Sequence, residues 1–177
     1  MSLPEDATTR LWWLAVERAA GWRVGADRLI EAGLAALLDG VDCQSLRLLA
    51  GLGRSEELEA ASLFERTLEE LGVATAVPAD ADQALWAMAR CWASRIVDGR
   101  LDPLEGADLI LWHVYVPLDG PEELHAITEG AIDRDPSRTV PPEQKRTNTI
   151  RAAERFLGSD PRIRPDPDPV TVLHRGR

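Results

Sequence analysis

The chain has 177 residues, of which 45% are hydrophobic, and a formal net charge of -10. That length suits one well-buried domain and is short for two independent ones. The charge argues against a nucleic-acid or anionic-membrane role, because both depend on clustered cations.

The apolar residues recur at helical spacing nearly throughout, which predicts an all-α fold. The first helix is expected from Pro4 to Ala20, through Leu11, Trp12, Leu14, Ala15, Val16 and Ala19, with Gly21 and Gly25 around its end. A second should run from Asp27 to Leu38, with Leu29, Ile30, Leu34, Leu37 and Leu38 inward and Gly40 as its stop. Asp42 then offers an N-cap for a short helix holding Leu46, Leu48, Leu49 and Leu52. Ser55 should cap a helix from Glu56 to Leu71, with Leu58, Ala61, Phe64, Leu68 and Leu71 inward. Val73 to Asp82 reads as a loop, given Pro78 and its acids.

The stretch from Asp82 to Pro117 is the most strongly patterned. Leu85, Met88, Ala89, Trp92 and Ile96 mark one helical face, and Gly99 follows as a left-handed stop. Asp102, Pro103 and Glu105 form an N-cap, a first-turn proline and a third-position glutamate, which open the next helix. Its continuation, Leu109 to Val116, is rich in β-branched and aromatic residues, so a buried strand is the alternative to a helix there. A further helix is expected from Glu122 to about Ile132, and a last one from Pro142 to Leu157. Beyond Gly158, Pro161, Pro165, Pro167 and Pro169 impose an extended course. The expected architecture is a single all-α bundle of seven or eight helices over residues 1–158, with an extended proline-rich tail over 159–177.

Asp39-Gly40 and Asp98-Gly99 end two helices by the same device, which reads as ordinary punctuation more than as an internal duplication. No apolar run approaches the roughly 18 residues of a membrane span. Only Cys43 and Cys91 are present, without a Cys-x-x-Cys pair, and no amino-terminal signal pattern is visible, so a cytoplasmic protein is expected. Lys145 is the sole lysine against many arginines, a bias typical of a GC-rich bacterial genome. Residues 1–137 hold 11 Arg against 25 Asp and Glu, whereas residues 138–177 hold 9 Lys and Arg against 5.

The chemistry-bearing candidates are few. Glu122-x-x-His125 has the spacing of a carboxylate-bridged di-iron helix, but the chain has no second copy, so no metal or cofactor is expected. His113 and Arg90 place polar atoms inside the apolar Asp82–Pro117 hairpin and are candidate binding residues. Trp12 and Trp13 point about 100° apart on one helix, so burying both needs cover on two sides or a partner. Asp98, Asp102 and Glu105 are capping acids, not a calcium loop. No phosphate loop, nucleophile elbow or Ser/His/Asp set is present.

The expected function is therefore a protein–protein interaction or regulatory module: an adaptor, an inhibitor or an immunity-like neutralising protein, with a protein partner and no catalytic residue. It rests on an acidic body and six tryptophans. One alternative is a small-molecule binder or enzyme with a pocket near Trp112, His113 and Tyr115. The other is a homodimer held by the Trp12–Trp13 helix.

Overall fold

A computed structural model of the chain describes residues 7–53, 56–129, 131 and 140–159. Among them the fold is all-α, with no strand, as a single all-α domain requires. The α-helices are α1 Ala7–Ala19, α2 Ala26–Leu38, α3 Gln44–Ala50, α4 Glu57–Glu70, α5 Ala81–Val97, α6 Pro103–Ile110, α7 Glu122–Thr128 and α8 Pro142–Gly158. A short 3-10 turn, Ala74–Ala76, lies within the expected Val73–Asp82 loop, and α6 runs on into a π-helical turn, Leu111–Tyr115. The strand alternative for that segment is thereby excluded. Ser55, residues 132–139 and the expected tail beyond Ser159 lie outside the described residues.

Contacts within the domain group into two compact units, the first comprising the described residues up to Ala84 and the second those from Leu85 onward. In the first, α1 packs on α2, α2 on α3 and α4, and α3 on α4. Leu11, Leu14, Leu29, Leu46, Leu49, Leu63, Phe64 and Leu68 fill the space between them. The inner face of α2 is made of Leu29, Ala32, Gly33 and Ala36. A Cβ added to Gly33 would sit 3.1 Å from Cδ2 of Leu49, so α2 and α3 approach closely and a larger side chain there needs Leu49 to give by a few tenths of an ångström.

Three faces depart from expectation. Leu34 and Leu38 on α2 and Leu48 on α3 point to solvent. Helix α2 is apolar around more than half its circumference, so hydropathy alone does not select its inner face, and the close approach to α3 selects the small residues. On α4, Leu58 is 97% exposed. The buried stripe there is Ala60, Leu63, Phe64, Thr67 and Leu68, and Leu58 lies about 200° round the helix from Ala60.

The cap of α3 is also supplied from elsewhere. Asp42 pairs with Arg47 instead of capping, and Cys43 takes the N-cap position without a side-chain cap bond. Glu70, at the end of α4, accepts from Ser45 N–H at 3.0 Å and from Ser45 Oγ at 2.6 Å. The Ser45 hydroxyl and then its amide hold the Glu70 carboxyl below its ordinary range.

In the second unit the expected face of α5 is observed, since Leu85, Met88, Ala89, Trp92 and Ile96 are buried. Asp102 caps α6 as read from the sequence, accepting from Leu104 N–H at 2.9 Å and Glu105 N–H at 3.3 Å. Gly106 lets α6 lie directly on α5, for a Cβ there would be 2.6 Å from Ile96. Trp86 of α5 stacks on Phe156 of α8, with ring centroids 6.1 Å apart. Helix α8 packs on α6 and α7, and Arg146 Nε donates to Asp102 Oδ2 at 3.1 Å. Gly40 and Gly99 both adopt left-handed φ, 87° and 71°, at the ends of α2 and α5. Among the described residues no helix is long and apolar enough to cross a membrane.

Candidate functional site

Helix α6 and its π turn bury Ala107, Ile110, Leu111 and Val114. The turn is closed by Val116 N–H donating to Leu111 O at 3.0 Å, five residues back. Pro117 has no N–H and leaves one rung out, after which Leu118 N–H still donates to Val114 O at 3.0 Å. On the side facing away from the buried stripe, Trp112 is 65% exposed and Val116 54% exposed. They lie one turn apart, so together they form an apolar step in solvent.

His113 is exposed, which corrects its expected place inside an apolar hairpin. Its ring lies 6.0 Å from that of the buried Trp92, covering the edge of the core instead of occupying it. Asp119 and Gly120 then take consecutive left-handed conformations, and Gly120 N–H donates to Tyr115 O at 2.8 Å. The absence of a Cβ at Gly120 matters, because one would stand 3.2 Å from the Tyr115 hydroxyl. This tight return brings α7 back so that His125 meets the Tyr115 ring edge-on at 6.4 Å.

The segment that builds this face carries one sign of formal charge, although Arg146 of α8 reaches Asp102 from outside it. From Leu101 to Glu129 the chain has seven acids, Asp102, Glu105, Asp108, Asp119, Glu122, Glu123 and Glu129, and neither Lys nor Arg. All seven are exposed. Burial tends to raise the Asp102 carboxyl, but the Arg146 guanidinium and the two α6 amides outweigh it and hold the group below its ordinary range. His113 and His125 are the titratable groups of the stretch that can become cationic.

Of the other residues singled out from the sequence, Glu122 and His125 belong to α7 of this face. Trp12 and Trp13 belong to α1 in the first unit. Trp13 is buried and donates its indole N–H to Glu17 Oε1 at 2.8 Å, and Trp12, half-buried, donates to Ala76 O at 3.0 Å. Arg90 is half-buried on α5, about 200° round that helix from Trp92 and hence from the residue that His113 contacts. Glu122 and His125 lie exposed on α7, and among the described residues no group of three or more His, Cys, Asp or Glu could hold a metal. Burial raises the thiols of Cys43 and Cys91, so neither is an activated nucleophile.

In the sequence Trp112 reads only as part of a possible pocket with His113 and Tyr115, and Val116 does not stand out. The signal that could have found them is the run without Lys or Arg, with Asp108, Trp112 and Val116 spaced four apart inside it. Comparison with models of protein families, with curated proteins and with solved structures finds no match. Chemically, an exposed indole among carboxylates suits arginine and lysine side chains, which can stack on the ring and pair with the acids.

Proposed function

We propose that this protein is an interaction module that docks a basic protein partner on the surface formed by α6, its π turn and α7. The observation that carries the reading is the exposed Trp112–Val116 step within a stretch of seven carboxylates that lacks any Lys or Arg. Tryptophan is favoured at the centre of binding hot spots, because it removes a large area from water at small conformational cost. The acids around it steer a cationic surface into place and discriminate against acidic ones. Such a module acts as an adaptor, an inhibitor or a neutralising partner of a basic protein. A cytoplasmic setting belongs to the proposal and rests on the two free cysteines.

Affinity capture from the native cell extract, with wild type and Trp112→Ala side by side over a salt series, tests the reading. The expected result is a specific basic protein whose retention falls with salt and falls at least tenfold with Trp112→Ala. Equal retention by both baits, or a partner that is acidic, overturns it.

A further inference from the structure

The first unit carries an apolar surface of a different kind. On α2, Asp27, Glu31, Leu34 and Leu38 follow one another at helical spacing along one exposed stripe. Leu34 is 48% exposed and Leu38 79% exposed, while the smaller Ala32, Gly33 and Ala36 face the core. The leucines therefore contribute little to the packing of this unit, and their aliphatic surface remains in water.

The charges beside them set what could cover that surface. Glu31 lies one turn before Leu34, and Asp39 follows Leu38 at the C-cap of α2. Among the described residues neither Asp27, Glu31 nor Asp39 has an ion-pair partner. Arg28, the one arginine of α2, is engaged by the buried Glu17 at 2.9 Å, and Arg47 of α3 by Asp42. The last turn of α2 holds no basic residue, so Asp39 adds its charge to the negative end of the helix dipole. Two leucines are thus bracketed by carboxylates that nothing on this helix neutralises.

We infer that the Glu31–Leu34–Leu38–Asp39 stripe of α2 is a docking surface for an amphipathic helix of another protein, one with aliphatic residues four apart and arginine or lysine one turn to either side. Its aliphatic pair covers Leu34 and Leu38 in the manner of helix recognition through i and i+4 anchors. Its cations meet Glu31 at one end and Asp39 with the terminal carbonyls of α2 at the other. This surface is independent of the Trp112 face, since it uses none of the same residues.

The test uses the full chain and a fluorescein-labelled synthetic helical peptide of that design, two leucines four apart flanked by arginines, with an isomeric peptide whose leucines are moved off the common face. Anisotropy titration should give saturable binding to wild type, weakened at least tenfold by Leu38→Asp and by Asp39→Lys, and unchanged by Trp112→Ala. Circular dichroism of each variant separates loss of binding from loss of fold. Four results overturn the inference: no saturable binding, equal binding of the isomeric peptide, equal binding by Leu38→Asp and Asp39→Lys, or loss with Trp112→Ala. Wild-type self-association in sedimentation velocity that Leu38→Asp abolishes would also overturn it, by assigning the face to a second copy of the chain.

Discussion

Helices α2 and α5 are alike in apolar character and opposite in use. Both are strongly apolar, and both end at a left-handed glycine, Gly40 and Gly99. In α5 the large residues Leu85, Met88, Trp92 and Ile96 are buried together with Ala84, Ala89 and Ala93. In α2 small residues are buried together with Leu29, and Leu34 and Leu38 are left outside. The difference lies in which side receives the neighbour closely. Helix α2 places its own glycine, Gly33, against Leu49 of α3, whereas α5 offers Ile96 to a glycine on the other helix, Gly106 of α6. Close helix packing needs a small residue on one side only, and which helix supplies it decides where the large residues go.

That contrast can be broken by substitution. Trp92→Ala should cost about 3–5 kcal/mol in chemical denaturation, because it empties a buried site of α5. A cost under about 1 kcal/mol would mean that α5 does not carry the core as described. Gly33→Val should cost roughly 1–3 kcal/mol through overpacking against Leu49, despite the higher helix propensity of valine. A neutral result there would show that α2 and α3 can separate freely.

Glu70 provides a pH-dependent check on the first unit. Its folded carboxyl titrates below the ordinary 4.5, so its contribution is fully present at neutral pH and is lost as pH falls through the folded value. Glu70→Gln should lower the urea midpoint at pH 7, and the gap to wild type should narrow as pH falls below the ordinary 4.5 and close as it passes through the lower folded value. A gap that persists unchanged in acid would remove the charge from the explanation. The smallest effect is expected for Leu38→Ser, within about 0.5 kcal/mol of wild type, since the side chain already stands in water. A loss of 2 kcal/mol or more would restore Leu38 to the core, where its sequence pattern first placed it.

Legibility followed the range of the interactions. The Asp102 cap, Pro103 in the first turn and the stop at Gly99 were readable because each acts over a few residues. Helix α8 begins at Pro142 as expected and ends one residue beyond the expected Leu157, for the same reason. The cap of α3 was not readable, because Glu70 reaches Ser45 from 25 positions away while the nearer Asp42 is drawn to Arg47. His113 looked buried because its neighbours in sequence are apolar. In fact Leu111 and Val114 turn inward, and His113 and Trp112 turn outward around the π turn. The candidate site is half visible in the sequence: His113, Glu122 and His125 stand out there, whereas Trp112, the residue that gives the face its character, reads only as part of a possible pocket lining.

The sequence by itself determined that this chain is helical, where most of its helices begin and end, and that its net charge is negative. Periodicity, capping and glycine conformation are local, and charge is additive, so none of them needs the rest of the molecule. The tertiary structure alone decided which apolar residues are core and which are surface. A helix apolar on most of its circumference has several possible inner faces, and the fit against its neighbours, down to a single glycine, selects one of them. The leucines of α2 and the tryptophan of the π turn are what that selection left in water.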